Sequence, residues 1–91
     1  MSEFALETLK SFDRDIRTID GQMKKRLVSK LELMKVSGMP SDVDAVQCAP
    51  GCFRTKLGDY RLVFRFKDGV FLLVLFCLRK DVYERLKRRV A

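Results

Sequence analysis

The chain reads as an α+β domain: a small, mainly antiparallel sheet, two N-terminal helices packed on one of its faces and a short C-terminal helix, in the order βααβββα. Three observations predict it. Apolar residues recur at helical steps as far as Met39, alternation sets in from Cys52 onward, and turn pairs stand at Gly58-Asp59 and Asp68-Gly69.

A short alternating segment around Phe4 and Leu6 gives the first strand and ends where Thr8 can cap a helix. Leu9, Phe12, Ile16 and Ile19 then follow 3-4-3 spacing, the stripe of an amphipathic helix. Asp20-Gly21 interrupts it. Met23, Leu27, Leu31 and Met34 mark a second helix, basic on its other side through Lys24, Lys25, Arg26 and Lys30, which stops at Gly38-Met39-Pro40. Residues 40–51 hold both prolines and read as loop. Residues 52–57 and 60–67 alternate as strands, and 70–78 form an apolar strand suited to the middle of a sheet. A last helix begins near Asp81 with the stripe Val82, Leu86 and Val90, leaving Tyr83 and Lys87 one turn apart on its flank.

Ninety-one residues hold a single domain, 1–91, with 19 Lys+Arg against 12 Asp+Glu and a net charge of +7. The run Val70 to Leu78 falls short of the roughly 20 residues a membrane helix needs, and residues 1–7 lack a signal peptide's basic and apolar regions, so a cytoplasmic chain is expected. There is no histidine. That removes a Ser-His-Asp triad, a Cys-His dyad, a histidine zinc site and the histidine acid-base pair of a pancreatic-type ribonuclease. Cys48-x-x-x-Cys52 lacks the further ligands zinc requires, so Cys48, Cys52 and Cys77 are read as small hydrophobes kept as thiols. Asp42 and Asp44 are read as a solvated loop, not a magnesium site. No metal and no cofactor is expected.

With Gly58-Asp59 as a two-residue hairpin loop, Leu57 faces Tyr60, Lys56 faces Arg61 and Phe53 faces Phe64. Phe53, Leu57, Tyr60, Leu62, Phe64 and Phe66 then share the core face. Arg54, Lys56, Arg61 and Arg65 share the other. Like charges set directly opposite destabilise a sheet unless an anion lies over them, and such a broken rule is a sign of function, the other reading being a merely solvated basic face. The partner of a basic face is a polyanion, nucleic acid or an acidic protein segment, with Tyr83 the aromatic available to stack on a base.

Cys52-Phe53-Arg54-Thr55-Lys56-Leu57-Gly58-Asp59-Tyr60-Arg61-Leu62-Val63-Phe64, the apolar strand and Leu78-Arg79-Lys80-Asp81-Val82-Tyr83 together resemble the toxins of the RelE/ParE superfamily, in particular the RelE ribosome-dependent mRNA endonucleases. The resemblance implies a catalytic basic pair at Arg54 and Lys56, a phosphate-binding arginine at Arg61, an arginine after the last strand at Arg79 and a stacking tyrosine at Tyr83. Leu78 stands where many relatives carry histidine, and Arg54 where some carry lysine. Regular alternation along 70–78 would send Arg79 to the core side with Phe71, Leu73, Leu75 and Cys77 and give Phe76 the parity of the basic face, where it is read as packed under a neighbouring segment, not as a stacking residue. A bulge or a strand end before Arg79 would bring it back.

The implied reaction is attack of an RNA 2′-hydroxyl on its adjacent phosphate, giving a cyclic phosphate and a free 5′-hydroxyl. Arginine cannot give up its proton, so Arg61 and Arg79 suit stabilisation of phosphate charge. Lys56, crowded by like charges, and Tyr83 are the candidate bases. Arg54, Arg65, Lys80 and Lys87 are candidates for holding RNA. The implied partners are mRNA in the ribosomal A site, the ribosome itself and a cognate acidic antitoxin that folds on binding. A gyrase-binding toxin of the ParE kind that cuts nothing, and an inactive basic binding module of the same fold, are the other readings.

Overall fold

The computed structural model describes residues 3–90. Strand β1 (Ala5–Thr8) leads at once into helix α1 (Lys10–Arg17), so the residue before the helix is Leu9 and no side chain caps it. Thr8 does not cap because its backbone is still in the sheet, paired with Leu73. Helix α2 (Gly21–Ser37) is capped as its sequence suggests: the Asp20 carboxylate accepts from the Met23 N–H at 2.8 Å. Within the loop after Pro40 lies a two-residue strand, β2 (Asp44–Ala45). Strands β3 (Cys52–Leu57), β4 (Tyr60–Lys67) and β5 (Val70–Leu78) follow as a meander, and a 3-10 turn at Arg79–Asp81 leads into α3 (Val82–Val90).

The strands form one sheet in the order β1-β5-β4-β3-β2, antiparallel except where β1 runs parallel to β5. Both turns of the meander have the backbone that their sequences require. Gly58 alone is at positive φ in the first, as a type II′ turn needs, whereas Asp68 and Gly69 are both positive in the second, as type I′ needs.

The core lies on both faces of the sheet. Against α1 and α2 lie Leu57, Leu62, Phe64, Phe71, Leu73 and Phe76, meeting Phe12, Leu27 and Met34. Against α3 and the 46–49 loop lie Cys52, Val63, Leu75 and Cys77, meeting Val46, Ala49, Val82 and Leu86. The three helices therefore do not share a face: α3 covers the one opposite α1 and α2. The side chain of Val90, the third residue of the expected α3 stripe, is outside the described residues.

A β-bulge sets this division. Val63 pairs with Leu75 and Phe64 with Leu73, which leaves Val74 as an extra residue in β5. Beyond it every side chain changes face. Leu75 and Cys77 turn to α3, not to the N-terminal helices, and Phe76 turns to the helix side, where its ring stacks on Tyr60 at 5.0 Å between centroids. Phe76 is thus 1% exposed and lies off the basic face.

Beyond Leu73 the other edge of β5 is uncovered, since β1 pairs with it only as far as that residue. Asp15 and Arg89 occupy that edge. The Phe76 N–H donates to Asp15 Oδ2 at 3.1 Å, and Arg89 Nη1 donates to the Val74 carbonyl at 2.9 Å. Among the described residues no helix is long and apolar enough to cross a membrane.

Candidate active site

The hairpin of β3 and β4 places Lys56 directly opposite Arg61, as the two-residue turn dictates. The main-chain N–H and C=O of Lys56 bond away from β4, so this is a non-hydrogen-bonded pair, the kind in which opposing side chains stand closest. One residue past β5, Arg79 comes to the same face because the Val74 bulge has shifted the alternation. Its N–H donates to the Asp59 carbonyl at 2.9 Å, which ties the end of β5 to the β3–β4 turn.

These placements bring Arg54, Lys56, Arg61, Arg79 and Lys80 around one open cavity of about 290 Å³. Arg61 Nη1 donates to the carbonyls of Gly58 and Tyr60, at 3.0 and 2.8 Å, which anchors one prong of the guanidinium on the turn. Its remaining N–H groups stay available to a ligand. Tyr83, 46% exposed on the first turn of α3, is joined to the cluster through Arg54: Nη1 donates to the tyrosine oxygen at 2.8 Å, with the guanidinium carbon 5.6 Å from the ring centroid.

Two residues expected at the site lie apart from the cavity. Arg65 stands at the other end of β4, where its guanidinium rests on the Gly51 turn. A Cβ at Gly51 would approach Arg65 Nη2 to 3.2 Å. Lys87 is exposed one turn beyond Tyr83 on α3.

Asp42, Asp44 and Thr55 complete the lining, and the sequence had placed none of them there. Asp44 pairs opposite Arg54 in the β2–β3 register. Asp42 is in the loop and its side chain is 39% exposed, as expected of a solvated residue, but it is tied in place: its carboxylate accepts from Thr55 Oγ1 at 2.5 Å and from the Lys56 N–H at 3.3 Å, and pairs with Lys30 at 3.4 Å. Burial alone would raise its pKa, but the Thr55 hydroxyl, the Lys30 charge and the Lys56 N–H outweigh it and hold the carboxyl below its ordinary value. The signal that could have found it is Thr55, whose parity puts a hydroxyl on the core side, where a buried polar group must have a partner. Among the described residues no group of three or more histidine, cysteine, aspartate or glutamate side chains could hold a metal ion.

No protein-family model matches the sequence, and no curated protein matches it significantly. Solved structures do match. The E. coli toxin RelE, solved as a mutant in the free state, superposes with a TM-score of 0.75 at 20% identity, covering 98% of this chain and 99% of that one. The antitoxin-toxin complex RelB-RelE from Methanococcus jannaschii matches with a TM-score of 0.74 at 18% identity, covering 87% and 96%. YafQ from E. coli matches at 0.62 and 14%, covering 89% and 99%. The chain therefore has the fold of the RelE-type toxins over nearly its full described length.

Proposed function

We propose that this chain is the cytoplasmic toxin of a type II toxin-antitoxin pair, an endoribonuclease that cuts mRNA in the ribosomal A site by 2′-hydroxyl attack without a metal. One observation carries the reading: Arg54, Lys56, Arg61 and Arg79, from two strands and the end of a third, converge on a single cavity with Tyr83 bonded to Arg54 beside it. A docking patch needs only net charge, whereas phosphate-transfer chemistry needs donors that converge on one point.

In this reading Arg61 and Arg79 stabilise charge on the phosphate and the leaving oxygen, and Tyr83 stacks on a base. Lys56 or Tyr83 takes the proton of the 2′-hydroxyl as it attacks phosphorus. The P–O5′ bond then breaks, and the leaving 5′-oxygen takes up a proton. Arg54, Lys80, Arg65 and Lys87 hold the RNA backbone. An acidic antitoxin is the expected protein partner, in keeping with the RelB that accompanies RelE in the matching complex.

The test is single-turnover cleavage of ribosome-bound mRNA, with the product ends identified. A 2′,3′-cyclic phosphate and a 5′-hydroxyl are expected; a 3′-hydroxyl with a 5′-phosphate would overturn the mechanism. Intact mRNA together with inhibited supercoiling by DNA gyrase would replace it with the ParE-type reading.

A further inference from the structure

Strand β2 covers β3 only at Phe53 and Arg54, so the outer edge of β3 is bare at Lys56. Two side chains far apart in sequence occupy it. The Lys56 N–H donates to Asp42 Oδ2, and Lys30 Nζ, from α2, donates to the Lys56 carbonyl at 2.7 Å while pairing with Asp42. Thr55 Oγ1 adds a third donor to the same carboxylate. Both main-chain polar groups of one residue are thus held by an ion pair that joins the loop to the second helix.

The far edge of the sheet is built alike. There Asp15 takes a strand N–H and Arg89 a strand carbonyl, and the two side chains pair. A bare strand edge needs covering in any sheet, so each pair has a structural reason to exist. The difference is location. Asp15 and Arg89 hold Val74 and Phe76, whereas Asp42 and Lys30 hold Lys56, a residue that lines the cavity.

We propose that Asp42 and Lys30 are positioning residues for Lys56, fixing its main chain so that the ammonium meets the same point as the Arg61 and Arg79 guanidiniums. The proposal rests on the nuclease reading. Lys56 sits one residue before the turn, on the least covered stretch of its strand, and a long side chain magnifies small backbone shifts. A displacement of about 1 Å at a reacting group can cost up to 10²-fold in rate.

The test is a double-mutant cycle in single-turnover cleavage of ribosome-bound mRNA, run well below each variant's melting temperature. Lys30→Met and Asp42→Ala should each slow the reaction about tenfold when Lys56 is present and have no further effect in the Lys56→Ala background. Asp15→Ala, which opens the other edge, should lower the melting temperature but leave the rate of the folded protein unchanged. Should Asp42→Ala fail to fold, Lys30→Met carries the cycle alone, since it removes a single ammonium and retains most of the side chain. Equal slowing with and without Lys56 would overturn the proposal in favour of direct contact with RNA, and so would an unchanged rate in both variants. A wild-type rate in Lys56→Ala itself would instead remove Lys56 from the nuclease reading, and the proposal with it.

Discussion

Asp15 and Arg89, 74 positions apart, meet in a two-pronged ion pair with N···O distances of 2.6 and 2.7 Å, and the aspartate side chain is 5% exposed. The pair joins α1 to α3 past the edge of β5, and each member also takes a backbone group of that strand. The aspartate raises the already high pKa of Arg89 further through the hydrogen bond. Asp15→Ala would leave a mostly buried guanidinium unpaired and the Phe76 N–H without its acceptor. Breaking such a pair from one side costs about 3–5 kcal/mol, and Arg89, still 20% exposed, points to the low end. Urea unfolding should show a loss of about 3 kcal/mol; a loss below about 1 kcal/mol would mean that the pair is dispensable.

Much of this fold is legible in the sequence because its turns are local. Gly58-Asp59 sets the register of β3 and β4, so the opposition of Lys56 and Arg61 follows from counting outward from the turn. The run 70–78 offers no such count. Nearly every residue in it is apolar, and a strand buried on both faces carries no pattern that could reveal one extra residue. Val74 is that residue, and the faces of Leu75, Phe76 and Cys77 depend on it. The position of α3 depends on it too, because the apolar surface that Val82 and Leu86 cover is the one that Leu75 and Cys77 make after the bulge.

The site divides the same way. Arg54, Lys56 and Arg61 are readable as one face of a hairpin, and Arg79 could be placed with them only from the resemblance, against its regular parity. Asp42 and Lys30 were out of reach. They meet Lys56 through contacts spanning 14 and 26 positions, which only the packing of α2 beside β3 brings together.

The three thiols should separate by reactivity. Burial raises Cys77 to about 11 and also raises Cys52, despite Arg65 nearby, whereas Cys48 is exposed and is not the small core hydrophobe that composition suggested. A disulfide reagent such as dithionitrobenzoate at neutral pH should modify one thiol per folded chain quickly and the other two only on unfolding. Three equal rates would contradict the packing of β3 and β5 under α3.

The Asp42 contacts predict a pH signature. Its folded carboxyl lies below the ordinary aspartate value of 3.8, so the folded state holds that proton less readily than the unfolded chain does. The stabilisation is therefore fully present above that value and is lost as pH falls through the lower folded one. Asp42→Asn should lower the urea midpoint at pH 7, and the gap to wild type should close below about pH 3.8. A gap that stays constant down to pH 2.5 would show that the charge of Asp42 contributes nothing.

In the nuclease reading, the arginines of β4 separate catalysis from attraction. Arg61 and Arg65 carry the same charge on the same strand, yet Arg61 lines the cavity and Arg65 lies on the Gly51 turn. Arg61→Ala and Arg79→Ala should each cost about 10²-fold or more in single-turnover cleavage, the loss typical of one transition-state donor. Arg65→Ala should cost far less, and added salt should reproduce its effect. Equal losses at all three would make the face a docking patch and end the enzyme reading.

In the nuclease reading, substitutions at Tyr83 and Lys56 decide which group takes the proton. The Tyr83 oxygen already accepts from Arg54, and its ring is exposed for stacking, so Tyr83→Phe removes the hydroxyl while leaving the stacking surface in place. If the hydroxyl takes part in chemistry, the maximal rate should fall by about 10²-fold while the concentration needed for half-maximal rate stays near that of wild type. Tyr83→Ala should then add a loss of binding of about 1–3 kcal/mol, the worth of one stacked base. A small effect in Tyr83→Phe beside a large one in Lys56→Ala would give the base to Lys56 and leave Tyr83 as a platform. The pH-rate profile separates the two outcomes a second time. Removing the group that takes the proton abolishes the limb on which that group loses its own, whereas removing a stacking residue shifts the whole curve down without changing its shape.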